Sequence, residues 1–385
     1  MRLTRTDGSL LAEWWFTVDR RLLMTLLMLI GTGIVMSLAG SPAIAVKKGL
    51  RAFHFVERHV AFAAASTLLM ILASLLVPRQ IRRLAVGLLV VGVVAMIAVL
   101  LIGPEINGAR RWLGVAGFSL QPSELAKPAF VVASAWLLAE ARYSGEPAAL
   151  AIGVVFYGLM IGLLLAQPDI GQALLLSLVW GALFFLSGQS LRRAAAFALA
   201  ALALLGAAAV TFEHARQRLL RFLVPSSGDT YQTDRALQSF AEGGMLGRGP
   251  GEGTVKTVLP DAHTDFIFAV MAEEFGAVVC LFVVGLYAFV LVRAFARART
   301  ERDPFVRLAV MGLALLLVFQ AIINMGVNVG LLPAKGMTLP FISAGGSSSL
   351  GTALAAGFLL ALMRRRPDVA QVQLPQPHAN LAAAR

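Results

Sequence analysis

Apolar residues in this chain fall in runs of roughly 17 to 25 positions that recur from end to end, separated by short polar or basic segments. A helix of that length crosses the about 30 Å of hydrocarbon in a bilayer, so each run reads as a membrane span. The pattern predicts an all-α, polytopic membrane protein of about ten transmembrane helices. They lie near residues 22–40, 59–77, 84–102, 123–140, 150–166, 170–187, 193–211, 264–292, 308–330 and 342–363. An even number of crossings puts both termini on one side. The predicted layout is a tail (1–21), a membrane domain (22–363) with a large outer loop (212–263) between helices 7 and 8, and a disordered tail (364–385). That last segment is rich in Pro, Gln and Ala and lacks the apolar residues of a core. Arg20 and Arg21 before the first run, with Ala43-Ile44-Ala45 after it, resemble a cleavable signal. The run exceeds a signal core of about 7 to 15 residues, so an uncleaved first span is expected. No clear internal repeat is visible.

Composition narrows the classes. Hydrophobic residues make up 58% and charged residues 14% of 385 positions, and the mean hydropathy is +0.79, which excludes an ordinary water-soluble domain. A net charge of +12 is compatible with nucleic-acid binding in principle. Here, however, the arginines cluster between spans, at Arg79/Arg82/Arg83, Arg192/Arg193, Arg293 to Arg302 and Arg364 to Arg366. All these clusters fall on the side of the termini, which the positive-inside rule makes cytoplasmic despite the basic first outer loop (Lys47, Lys48, Arg51), and no nucleic-acid partner is expected. The single cysteine, Cys280, allows neither an intrachain disulfide nor a cysteine-based metal site.

The residues that stand apart from membrane filler lie in the outer loops. Asn107 to Trp112 precede Gln121 to Lys127, where Pro122 suits a first helical turn. Glu124 and Lys127, three apart, share a helix face just below the membrane surface. Asp169 occupies a very short turn and reads first as a helix cap. The long loop carries Tyr231 to Ala236 and a glycine-rich stretch, Gly243 to Gly251, and ends in Pro260 to Phe268. There Asp265 is either a capping acid or a general base whose basicity burial would raise, with Lys127 as its expected neighbouring cation. Glu273 and Glu274, two turns deeper, favour a transport pathway. Asn324, Asn328 and Gly345 to Ser349 read as close helix packing with interhelical hydrogen bonds rather than a phosphate cradle.

Taken together these stretches resemble the SEDS family of shape, elongation, division and sporulation proteins. The resemblance is carried by Asn107 to Leu113, Gln121 to Lys127, Gln167 to Gly171, Tyr231 to Ala236, Pro260 to Ala269 with Glu273 and Glu274, and Asn324 to Ser349. Asn107 to Trp112 and Phe53 to Val56 are similar to the division branch. The resemblance implies a peptidoglycan glycosyltransferase of the bacterial cytoplasmic (inner) membrane, at the division septum. Such an enzyme polymerises lipid II on the outer face, inverts the anomeric carbon and releases undecaprenyl pyrophosphate. Its implied partners are a class B penicillin-binding protein and other divisome membrane proteins. On this reading Asp265 matches the family's essential aspartate and is the base, Lys127 tunes it and Glu124 orients Lys127. Arg110, Arg111, Asp169, Arg248, His263 and Lys335 are then the substrate-binding candidates. No organic cofactor is implied; a divalent cation such as Mg2+ or Mn2+ would supply counter-charge, although no compact ligand cluster is apparent. Two rivals differ in class: a lipid II flippase needs polar residues through the midplane, and a non-catalytic divisome scaffold needs no Asp265.

Overall fold

Four of the membrane-length helices begin on a proline, at Pro78, Pro122, Pro147 and Pro304, where the missing N–H has no helical partner to lose. The computed structural model describes residues 9–365, apart from 48, 107, 116–117, 144–146, 212–215, 218–219, 221, 223, 225–229 and 334–335. Among the described residues each predicted span is a helix. They are α2 (Arg20–Lys47), α3 (His54–Ser74), α4 (Pro78–Ile102), α5 (Pro122–Tyr143), α6 (Pro147–Ala166), α7 (Ile170–Leu186), α8 (Leu191–Thr211), α10 (Ile267–Thr300), α11 (Pro304–Asn328) and α12 (Gly346–Met363). Eight are long and apolar enough to cross a membrane on those grounds alone. The other two are α7, which is 17 residues long, and α5, which carries Glu124, Lys127, Glu140 and Arg142.

The apolar windows of α11 and α12 are 83% buried, whereas that of α8 is 6% buried, so the last two helices form the centre and α8 lies at the rim. The small residues of α12 make this possible. At Gly351 a Cβ would collide with the carbonyl of Glu124 on α5, so the helices touch backbone to backbone beside the candidate site.

Several local features depart from the predicted layout. The N-terminal tail contains α1 (Leu10–Thr17), pinned where Trp14 Nε1 donates to Ser74 Oγ at 2.8 Å. The large loop contains α9 (Tyr231–Gly243). Loop 103–121 folds into two short antiparallel hairpins, β1 (Glu105–Ile106) with β2 (Ala109–Arg110) and β3 (Leu113–Val115) with β4 (Phe118–Leu120), too short to show in a hydropathy pattern. Arg364, assigned by sequence to the tail, belongs to the packed body. It is 5% exposed and bonds Thr17 Oγ1 (2.9 Å), the Leu75 carbonyl (3.2 Å) and Glu13 Oε1 (2.9 Å), so the two ends of the described chain meet at one end of the bundle.

The eighth span differs most. It is broken at Gly276, whose φ of 79° is open to glycine and strained for other residues. The break exposes backbone groups that the glycine-rich loop satisfies: Arg248 N and Gly249 N donate to the carbonyls of Glu273 and Glu274 (2.9 and 3.0 Å), while Ala277 N donates to Gly244 O (2.9 Å). Before the break Ile267 to Glu274 are all buried; after it the exposed apolar residues run from Val278 to Phe295. That stretch rises about 26 Å, close to the hydrocarbon thickness. The first two turns of α10 are therefore covered by protein, and Glu273 and Glu274 do not lie deep in lipid as a straight helix from Asp265 would place them.

Candidate active site

At the end of the bundle opposite the termini, α5 begins with Pro122 and places Glu124 and Lys127 one turn apart, 4% and 3% exposed. Lys127 Nζ lies 2.8 Å from Glu124 Oε2 and donates to Gln320 Oε1 on α11 at 3.1 Å. Gln172 Nε2 on α7 donates to the other oxygen of Glu124 at 2.7 Å. A buried charge is tolerated only when paired and hydrogen-bonded, and three helices supply those partners.

Asp169 adjoins this pair. It caps α7, accepting from Gln172 N at 3.3 Å, as its position in a short turn predicts. It also takes Gln121 Nε2 at 3.3 Å and lies 3.7 Å from Arg111 Nη1, whose guanidinium is held by the carbonyls of Gln167 (3.1 Å) and Pro168. Burial pushes the Asp169 carboxyl above its ordinary value, and the Arg111 guanidinium pulls it back down.

Asp265 reaches the site from α10. The N-cap of that helix is Phe266, which makes no side-chain capping bond, and the N–H of Ala269 goes to Asn328 Oδ1 at 3.0 Å. The amide of Asn328 performs the capping that sequence position suggested for the aspartate. The Asp265 backbone carbonyl is gripped by Asn324 Nδ2 (2.8 Å) and Asn328 Nδ2 (2.9 Å). Its carboxylate faces the segment after α11, where a Cβ on Gly336 would sit 3.2 Å from Oδ2. Two residues on, the Thr338 carbonyl accepts from Gln320 Nε2 at 3.0 Å, and Met337 O accepts from Asn324 Nδ2 at 2.6 Å. Asp261 (φ 51°) and Phe341 (φ 66°) put left-handed backbone into both segments that frame the aspartate, as strained sites do.

One face of α11 thus holds the site together. Gln320, Asn324 and Asn328 are spaced four apart, and their carboxamides tie Lys127, Asp265 and the Gly336 to Thr338 segment into one network. Asn324 and Asn328 make the interhelical hydrogen bonds that the sequence reading expected of them, to the Asp265 carbonyl and Ala269 N, whereas Gln320, Gln172 and Thr338 were not among its site candidates. The usable signal was the i, i+4, i+8 repeat of amides along an otherwise apolar helix.

The remaining candidates are dispersed. Arg110 is exposed on the first hairpin, 3.6 Å from Glu105. Arg248 pairs with Glu242 (2.7 Å) and donates to Thr254 Oγ1 (3.0 Å), bracing the loop. The ring of His263 stacks on Phe55 at 5.0 Å, and its carbonyl accepts from Ala344 N at 3.0 Å. Lys335 and Asn107 lie outside the described residues. Glu273 accepts the N–H groups of Thr254, Val255 and Lys256 at 2.6, 2.7 and 3.0 Å, and Glu274 pairs with Lys256. Among the described residues no three His, Cys, Asp or Glu side chains are grouped as a metal ion would need.

Among the described residues, ten helices of 17 residues or more surround a buried ion pair and a half-buried aspartate that share one amide network. The chain belongs to the FtsW, RodA and SpoVE family of cell cycle proteins, whose profile matches residues 20–367. It is 44% identical over 364 residues to the probable peptidoglycan glycosyltransferase FtsW of Caulobacter vibrioides, covering 94% of this chain and 93% of that one. To the protein of the same name from Geobacter metallireducens it is 35% identical over 359 residues, 90% of this chain and 96% of the relative. Among solved structures it resembles a chain in a study of the structural coordination of polymerization and crosslinking by a peptidoglycan synthase complex. The TM-score is 0.74 at 32% identity, covering 91% of this chain and 98% of that chain. The rod shape determining protein RodA of Thermus thermophilus matches with a TM-score of 0.68 at 28% identity, covering 91% and 97%.

Proposed function

We propose that this chain, a multi-pass membrane peptidoglycan glycosyltransferase, polymerises lipid II into glycan strands on the outer face of the cytoplasmic membrane during division. The observation that carries the reading is the position of Asp265: just ahead of the end of α10 that Asn328 caps, clamped through its backbone, and facing the segment that Gln320 connects to the Lys127–Glu124 pair. The basic clusters put the opposite end of the bundle in the cytoplasm, so this site opens outward, where a translocated substrate arrives.

Asp265 takes the proton of the acceptor 4-hydroxyl as its oxygen attacks the donor's anomeric carbon from the face opposite the pyrophosphate. The new glycosidic bond forms, the bond to the pyrophosphate oxygen breaks, and its electron pair leaves with undecaprenyl pyrophosphate, inverting the sugar. Lys127, fixed by Glu124 and Gln320, supplies a preorganised positive charge toward the reacting centre. Arg111 and the exposed Arg110 are suited to the pyrophosphate, with Asp169 setting the orientation of Arg111. A class B penicillin-binding protein is the proposed partner, in keeping with the synthase complex that the chain resembles. The flippase reading loses its main support, because Glu273 and Glu274 are engaged in holding the outer loop.

The test is polymerisation of lipid II by the purified protein with its penicillin-binding partner, wild type against Asp265→Ala, with strands resolved by gel and partner binding checked by co-purification. Strands from wild type only, with partner binding intact in both, are expected. Equal activity would remove Asp265 from the chemistry, and no strands from either would return the flippase and scaffold readings.

A further inference from the structure

A cavity of about 530 Å³ lies at the end of the bundle that holds the termini, far from Asp265, and nothing in the proposed reaction uses it. Its walls come from the α1–α2 turn, the last turns of α10 and the end of α12. Five arginines line it, Arg20, Arg21, Arg293, Arg297 and Arg365, against one carboxylate, Asp19. Asp19 is committed to Arg293 Nε at 2.7 Å, and Arg297 pairs with Glu301 at 2.6 Å from outside the lining. The Arg297 Nε is nevertheless buried without a hydrogen-bond partner, and among the described residues no carboxylate pairs with Arg20, Arg21 or Arg365. Arg20 is held in place by stacking over Trp15 at 4.7 Å. Five arginines lining one cavity with a single carboxylate among them supply the chemistry that binds a phosphate.

The surroundings of the cavity are apolar on the membrane side. Met24 and Met28 continue the Arg20 face of α2 at i+4 and i+8, and they are 51% and 53% exposed. Phe289, Val292 and Phe295 are exposed on α10 beside Arg293. A phosphate group seated among the arginines would have hydrocarbon-facing side chains directly beneath it on two helices.

We propose that this cavity binds the headgroup phosphate of an anionic phospholipid of the cytoplasmic leaflet, its acyl chains lying along the exposed faces of α2 and α10. The inference is independent of the catalytic reading but rests on the orientation given by the basic clusters. Bound there, the lipid offsets the mutual repulsion of the arginines and joins the cytoplasmic ends of α2, α10 and α12.

Native mass spectrometry of the detergent-solubilised full chain tests this with phosphatidylglycerol, phosphatidylcholine and inorganic phosphate as probes. Wild type is expected to retain phosphatidylglycerol at least tenfold better than phosphatidylcholine, and the Arg21→Gln/Arg365→Gln variant to hold it about thirty-fold more weakly. An Arg82→Gln/Arg83→Gln variant, in another basic cluster at the same end, is expected to bind as wild type does. Equal retention of the two lipids by wild type, or equal loss in both variants, would overturn the site. Displacement of the lipid by millimolar inorganic phosphate would reassign the cavity to a soluble anion. Should the first variant fail to fold, the thermal midpoint of wild type with each lipid decides: it rises with phosphatidylglycerol alone if the proposal holds and moves equally with both if it does not.

Discussion

Two lysine–glutamate pairs are buried near the same end of the bundle, and their surroundings differ although their groups are the same. Lys127 with Glu124 has side-chain exposures of 3% and 5%, and Lys256 with Glu274 has 3% and 0%. The first pair lies within one helix, and its further bonds run to Gln172 and Gln320, on the network that reaches the Asp265 segment. The second joins the outer loop to α10, and Lys256 Nζ also donates to the Ala39 carbonyl of α2 at 3.0 Å. Its neighbour Glu273 is occupied by three backbone N–H groups of the loop. A buried ion pair by itself therefore marks neither catalysis nor stability; what its remaining lone pairs and protons touch decides which it serves.

Replacing each pair whole separates the two roles, because no charge is left stranded. Lys127→Met with Glu124→Met is expected to lower lipid II polymerisation about 100- to 1,000-fold while the unfolding midpoint stays close to wild type. The matching change, Lys256→Met with Glu274→Met, should leave polymerisation within a few-fold. If both doubles retain activity in the gel assay, the first pair is structural and Lys127 leaves the mechanism.

Breaking only the second pair acts on stability rather than on activity. Lys256→Met alone strands Glu274 in a dry site and is expected to cost about 3–5 kcal/mol, most of it recovered when Glu274→Met is added. Unfolding in denaturant with the protein in detergent measures both steps. Gly276→Ala is expected to cost at least the about 1–3 kcal/mol of a strained backbone conformation, since the added Cβ would also overlap the Met245 carbonyl and Gly247 N at a positive φ. Faster protease cleavage between Gly243 and Gly253 in that variant would show that the break in α10 and the loop hold each other. An unchanged cleavage rate would uncouple them.

The spans, their number and the grouping of arginines at one end were legible in the chain because hydropathy and charge bias are local properties that a bilayer enforces run by run. The Glu124–Lys127 pair was legible for the same reason, since its geometry follows from helical spacing alone. Asp265 could be picked out, but not relieved of the duller role of a cap, because the residue that caps α10 is Asn328, 59 positions from Ala269. Lys127 and Gln320 are 193 positions apart, and Lys256 and Glu274 meet only because α10 breaks at Gly276 and the loop folds onto it. Sequence thus determined which segments are apolar enough to span a bilayer and which charges needed partners. Tertiary packing chose the partners, since a buried charge is stabilised by whatever groups distant helices bring within hydrogen-bonding reach.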